Sequence, residues 1–179
     1  PDVNVISVCQ PTVPVLAAVS VMSTLGDAKL PKTMTMMGGP IDTRRSPTQV
    51  NNLATEKSFG WIERTVIHPD RHAESHWDFY LNLVRGDDDD AEGHRKFYDE
   101  YNAVLDLPAE YYLETIRTVF QEHRLPLGTW ELPFEGRTMR VAPEDVRKVA
   151  LFCVEGELDD ISGAGQTAAA LELCRGLPK

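Results

Sequence analysis

The chain has 179 residues, 42% of them hydrophobic, enough to bury a substantial core as one domain. Its 18 Lys and Arg against 28 Asp and Glu leave a net charge of −10, which argues against nucleic acid or an anionic lipid surface as a partner. Cys9, Cys153 and Cys174 are an odd set without C-x-x-C spacing, so neither a disulfide framework nor a zinc knuckle is indicated and a reducing cytosol fits best. No apolar stretch reaches the ~18 residues of a membrane span, and the first residues lack the basic start of a signal peptide.

A β-branched run, Val3-Asn4-Val5-Ile6-Ser7-Val8, stops at Cys9-Gln10-Pro11 and gives way to Val13 through Met22, which reads as a buried helix. Strand, tight turn and helix are the outline of a nucleophile elbow, with a thiol where a hydroxyl is usual. The start of the helix favours a thiolate and a developing oxyanion at such an apex. The pentapeptide Ser7-Val8-Cys9-Gln10-Pro11 lacks both glycines of G-x-nucleophile-x-G; serine is a mild substitute for the first, and Pro11 suits a first helical position. The competing reading is a buried core thiol at a strand end. A core-type strand as the opening of the chain has no earlier strands to pair with in a parallel sheet, so a piece of a longer protein is expected.

Gly26 and Pro31 mark a turn, and Thr33-Met34-Thr35-Met36-Met37 reads as a second strand ending at Gly38-Gly39-Pro40, completing a βαβ unit. From Ile41 to about Phe59 a polar loop with Asp42, Arg44, Arg45 and Pro47 leaves the carboxyl edge of that strand, where ligand-contacting loops tend to lie. Ser75 to about His123 has helical texture, with three helices marked by Trp77 to Leu83, Phe97 to Leu105 and Tyr111 to Phe120. Their aromatic residues read as packing. Asp87 to Asp90 read as a solvated loop entering a helix start, because the alternating ligands and glycine of a calcium loop are absent. Strand character returns at Val149 to Val154, followed by a loop with Asp159 and Asp160 and a helix from about Gly165 to Cys174. The fold class is therefore α/β: a partial parallel sheet of the α/β-hydrolase type with a helical cap inserted. Residues 1–60 hold the elbow and second strand, 75–130 the cap, and 145–179 the acid-bearing strand, loop and helix.

A thiolate nucleophile needs a base, and the base a third group to orient it. In the order nucleophile, acid, histidine, Cys9 takes the first place and Asp159 or Asp160 the second. Asp159 is preferred, because such an acid is typically followed, after one residue, by an aliphatic residue that enters the core, a place Ile161 is expected to take. All five histidines, His68, His72, His76, His94 and His123, precede both aspartates, so the base is expected beyond Lys179. His68, His72 and His76 recur every four residues, but Pro69 and polar surroundings favour a loop and helix start over a metal face. No metal or cofactor is called for.

The motifs Val8-Cys9-Gln10-Pro11 with Val13-Pro14-Val15-Leu16-Ala17-Ala18, Met37-Gly38-Gly39-Pro40-Ile41-Asp42-Thr43-Arg44-Arg45, and Val154-Glu155-Gly156-Glu157-Leu158-Asp159-Asp160-Ile161-Ser162 resemble the intracellular polyhydroxyalkanoate depolymerase family. Ala73 to Tyr80 and Phe97 to Val104 are similar too, so the resemblance covers most of the chain. It implies an α/β-hydrolase fold that hydrolyses esters of stored poly(3-hydroxybutyrate), in the cytoplasm at the granule surface, with Cys9 as nucleophile and Asp159 or Asp160 as acid. Gln10 N–H is then the local oxyanion donor, and Arg44 and Arg45 are candidates to bind a carboxylate product end. The family's histidine and its amino-terminal portion lie outside this chain, and the stretch between Ile67 and Arg71 is shorter than the family's. The chain as it stands is expected to be inactive. Two rivals are a polyhydroxyalkanoate synthase-like acyltransferase, which usually keeps glycines around its cysteine, and a non-catalytic granule-binding module.

Overall fold

The structure, a computed structural model, describes residues 3–56, 69–103 and 108–178. In chain order its elements are β1 (Asn4–Val8), α1 (Thr12–Leu25), β2 (Thr33–Met37), α2 (Gln49–Glu56), α3 (Pro69–Arg85), α4 (Asp88–Tyr101), α5 (Ala109–Thr115), a π-helical turn (Ile116–Gln121), α6 (Arg124–Leu127), β3 (Glu131–Phe134), β4 (Arg137–Arg140), a 3₁₀ turn (Pro143–Asp145), β5 (Ala150–Val154) and α7 (Ala169–Leu173). They form two compact units, Pro1–Ser58 with Tyr112–Lys179, and Phe59–Tyr111.

The first unit is built on a parallel sheet of order β1-β2-β5, with Ile6 level with Thr35 and Thr35 level with Phe152. Parallel neighbours need a crossover, and α1 supplies it between β1 and β2. The helix starts after Pro11 and stops at Gly26, whose φ of 68° lets the Gly26 and Asp27 N–H groups turn back to the Ser23 and Met22 carbonyls. Val13, Leu16, Ala17 and Val19 of α1 bury against Met34 and Met36 of β2, joined by Val141, Val146, Val149, Ala169, Ala170 and Cys174. Each large apolar side chain so buried contributes roughly 1.5–3 kcal/mol. On the opposite face of the sheet Ile6, Val8 and Phe152 are exposed. The sheet and its three strands are thus an α/β arrangement in the expected chain order.

Three local differences from the sequence reading have physical causes. The segment read as a helix from Gly165 stays in turns until Ala169, where the N–H groups of Gln166, Ala170 and Leu171 reach back three residues, to Gly163, Thr167 and Ala168, in place of the four of an α-helix. An unforeseen hairpin pairs β3 with β4 across Glu135 and Gly136, both at positive φ (48° and 76°), the geometry of a tight two-residue turn. In the second unit α3 begins at Pro69, where a missing N–H is harmless, and not at Ser75, so His72 and His76 stand one turn apart on a single helix. Phe59, His68, Val104 and Leu105 lie outside the described residues.

In that second unit α3 and α4 form a helical hairpin. Gly86, at φ 74°, ends the first helix, and Asp87 accepts the Asp90 N–H to start the second, so the acidic run lies at a helix start where its charge opposes the helix dipole. The seam sets His72, His76 and Phe79 against His94, Tyr98 and Tyr101. His76 Nδ1 lies 3.2 Å from His94 Nε2, Phe79 stacks on His94 with centroids 4.5 Å apart, and His72 Nδ1 lies 2.8 Å from the Tyr98 hydroxyl. Burial, and then the facing His76, push the His94 imidazole below its usual 6.5; Arg71, Glu74, Asp78 and Asp90 line the same recess. A histidine depressed in the folded state stabilises it above the unfolded value and loses that contribution as pH falls. Amide-exchange protection of α3 and α4, corrected for intrinsic rates, should therefore drop between pH 7.5 and 5.5 more than that of α1. His94→Gln should flatten the dependence, and equal drops in all three helices would contradict it.

Candidate active site

The turn after β1 is set by hydrogen bonds on both sides of Cys9. Its N–H extends the β1–β2 ladder to the Met37 carbonyl (2.8 Å), while its carbonyl accepts the Thr12 N–H (3.1 Å) and the Thr12 hydroxyl (2.9 Å). Caught between strand and helix, Cys9 adopts φ 62°, a left-handed conformation that costs a residue with a Cβ about 1–3 kcal/mol. Its thiol is exposed, so the reading of a buried core thiol does not hold. Ser7, where a glycine is usual, fits because it is buried and its hydroxyl donates to the Thr35 carbonyl of β2 (3.3 Å).

The first N–H groups of the helix are mostly consumed. Thr12 N–H goes to Cys9, Val13 N–H to the Gln10 carbonyl (3.2 Å), Val15 N–H to Pro11, and Pro11 and Pro14 have none. Gln10 N–H is the remaining donor beside Cys9 without a protein acceptor among the described residues.

The loop after β5 brings Asp159 to the same carboxyl edge. One carboxylate oxygen accepts the Ile161 and Ser162 N–H groups (2.9 and 3.0 Å). The other points to Gly38, 3.6 Å from where a Cβ on that glycine would stand. Gly38, at φ 54°, donates its own N–H to the Val154 carbonyl at the end of β5 (2.9 Å) and directly follows Met37, the partner of Cys9. Asp160 is exposed, and so is Ile161, which does not enter the core as expected: its N–H is turned back onto the Asp159 carboxylate and its side chain is left facing solvent.

Arg44 and Arg45 are tied into ion pairs. Arg44 forks onto Asp42 (2.7 and 2.9 Å), and Arg45 reaches Glu172 (2.8 Å) and Asp42 (3.5 Å). Burial works to raise the Asp42 carboxyl, but the hydrogen bonds and charge of Arg44, with Arg45, hold it below its usual range. Among the histidines, His123 Nδ1 lies 3.0 Å from the buried Thr43 hydroxyl, and His72, His76 and His94 belong to the helical hairpin. Among the described residues no imidazole hydrogen-bonds Asp159 or Cys9, and no group of three or more His, Cys, Asp or Glu side chains converges as a metal site. Sequence reasoning passed over Thr12 and Thr167, whose hydroxyls brace the Gly38-Gly39 corner; threonine in an apolar stretch carries no signal of the distant backbone group it meets.

An exposed thiol on a strand–turn–helix corner, with a carboxylate over the next strand's end, defines an α/β protein of elbow type. The family described as PHB de-polymerase C-terminus matches residues 38–69 and 66–179, most of the chain, and the chain belongs to that family. No curated protein matches it. Among the described residues no helix is long and apolar enough to cross a membrane.

The other two thiols are silenced by their surroundings. Burial, then Glu155, pushes Cys153 up to about 11, and burial, then Cys153 and Glu144, pushes Cys174 up to about 12. Iodoacetamide at pH 7 followed by mass spectrometry should label Cys9 at least ~10-fold faster than either, the latter two reacting only after unfolding. Equal labelling of all three in the folded protein would contradict the site described.

Proposed function

We propose that this chain is the nucleophile- and acid-bearing part of a hydrolase that cleaves ester bonds of poly(3-hydroxybutyrate) at cytoplasmic storage granules. On this reading the parallel sheet is part of an α/β-hydrolase fold, with residues 1–60 and 145–179 as its sheet portions and residues 75–130 as its helical cap. The observation that carries the reading is the exposed Cys9 at φ 62° with one Asp159 oxygen anchored and the other directed to the Gly38 corner beside it.

The chemistry follows from these parts. An imidazole takes the Cys9 thiol proton and becomes imidazolium; the thiolate attacks the ester carbonyl, and Gln10 N–H donates to the oxyanion as the tetrahedral centre forms. Collapse breaks the ester C–O bond, leaving a thioester on Cys9 and an alkoxide that takes a proton from an imidazolium. Water, deprotonated by the same imidazole, then attacks the thioester, releasing the free acid and restoring the thiol. The imidazole is supplied from outside these 179 residues and is oriented by the Asp159 oxygen that faces Gly38. Arg44 and Arg45 serve this site by holding the loop after β2 through Asp42 and Glu172, with product-end binding a secondary role.

A non-catalytic granule-binding module is the second reading, favoured by the lack of an imidazole on Asp159 among the described residues. Hydrolysis of amorphous poly(3-hydroxybutyrate) granules by the longer protein that contains this chain separates the two. Cys9→Ala should lower release of soluble hydroxyacid by on the order of 10³-fold or more, and Asp159→Asn by roughly 10²-fold or more, with Asp160→Asn close to the parent. Granule binding without hydrolysis in parent and variants alike would favour the binding module.

A further inference from the structure

We propose that Thr167 is a positioning residue that sets the Cys9 turn through Gly39 and Thr12; this rests on the reading of Cys9 as the nucleophile. Thr167 is fully buried just before α7, and its hydroxyl engages both polar groups of one residue. It accepts the Gly39 N–H (2.7 Å) and donates to the Gly39 carbonyl (3.0 Å). Gly39 is thereby pressed against the first turn of α1, so closely that a Cβ on it would stand 1.9 Å from the Thr12 hydroxyl oxygen. Thr12, also fully buried, passes the constraint on by donating to the Cys9 carbonyl (2.9 Å). Three links, the last of them half-buried, therefore join the segment after Asp159 to the backbone of Cys9.

The segment that ends in Thr167 begins at the acid loop. Glu155, ahead of Asp159, accepts the N–H groups of Gly165 and Ala168 on either side of it, so loop and threonine are held as one piece. The nucleophile turn and the acid loop sit on β1 and β5, and only the end of β2 lies between them. Gly38 faces Asp159 while Gly39 faces Thr12, so the two-glycine corner sets the spacing of both. Valine fills the space of threonine but cannot satisfy Gly39; its N–H would be left buried without a partner, while its carbonyl keeps the Ile41 N–H (3.0 Å), and the orphaned donor drives the corner to shift. Thr12 then loses its backing, and the Cys9 thiol turns away from the start of α1.

The test measures the rate of Cys9 alkylation by iodoacetamide at pH 7, with Cys153 and Cys174 as reporters of the core. Thr167→Val and Thr12→Val should each slow Cys9 by at least ~5-fold while Cys153 and Cys174 stay protected, and Thr167→Ser should remain within ~2-fold of the parent. The double valine variant should be no slower than the slower single by more than ~2-fold, because both changes break one chain of contacts. A Thr167→Val rate equal to the parent, additive effects in the double variant, or exposure of Cys153 and Cys174 by Thr167→Val would each overturn the proposal, the last because the hydroxyl would then be holding the core. Retained granule hydrolysis in Cys9→Ala would instead defeat the nucleophile reading and leave the alkylation result standing.

Discussion

The fold of the site depends on one close approach: the backbone of Gly39 against the side chain of Thr12. No side chain fits there, so the loop leaving β2 lies directly on the first turn of α1. That contact fixes where the crossover helix starts relative to the sheet, and with it the turn that carries Cys9. The hydrogen bonds of Cys9 to Met37 and Thr12 complete the corner from the other side, holding a non-glycine residue in a left-handed conformation. Strain of this kind persists only where surrounding contacts over-determine it.

Much of this was legible in the sequence, and the reasons are local. The β-branched run at Val3–Val8, the apolar helix after Pro11 and the Thr33–Met37 run ending in two glycines each carry their own period or breaker, so β1, α1, β2 and later β5 could be placed in order. The place of Cys9 at a corner was legible because strand, turn and helix meet on it, and the place of Asp159 in the loop after β5 because it follows a strand end. What escaped the sequence was non-local. The hairpin of β3 and β4 has four-residue strands, one containing Pro133, and its only signal was Glu135-Gly136. The seam of His72, His76 and His94 was hidden because Pro69 and its polar surroundings read as a loop ahead of a helix start, where Pro69 is itself the first residue of the helix. The pairing of Thr167 with Gly39, 128 positions apart, has no sequence signature.

The electrostatics of the edge are self-contained. Asp42 is buried, and its charge is tolerated because Arg44 and Arg45 hydrogen-bond or face it, while Glu172 balances the second guanidinium. The loop after β2 is thus bound to α7 by charge and to α1 by shape. A chain of net charge −10 gathers two of its cations here, which suits loop-holding within an otherwise acidic surface.

The uneven distribution of the three thiols has a chemical consequence for a cell under peroxide stress. Oxidants react with accessible thiolates, and Cys153 and Cys174 are kept protonated inside the fold, so damage falls on the single sulfur at the apex. A sulfenic acid there would leave the hydrophobic core untouched. With Cys174 buried and the half-buried Cys153 held as a thiol, neither companion is a ready resolving thiolate, and recovery would depend on a reductant from outside the protein.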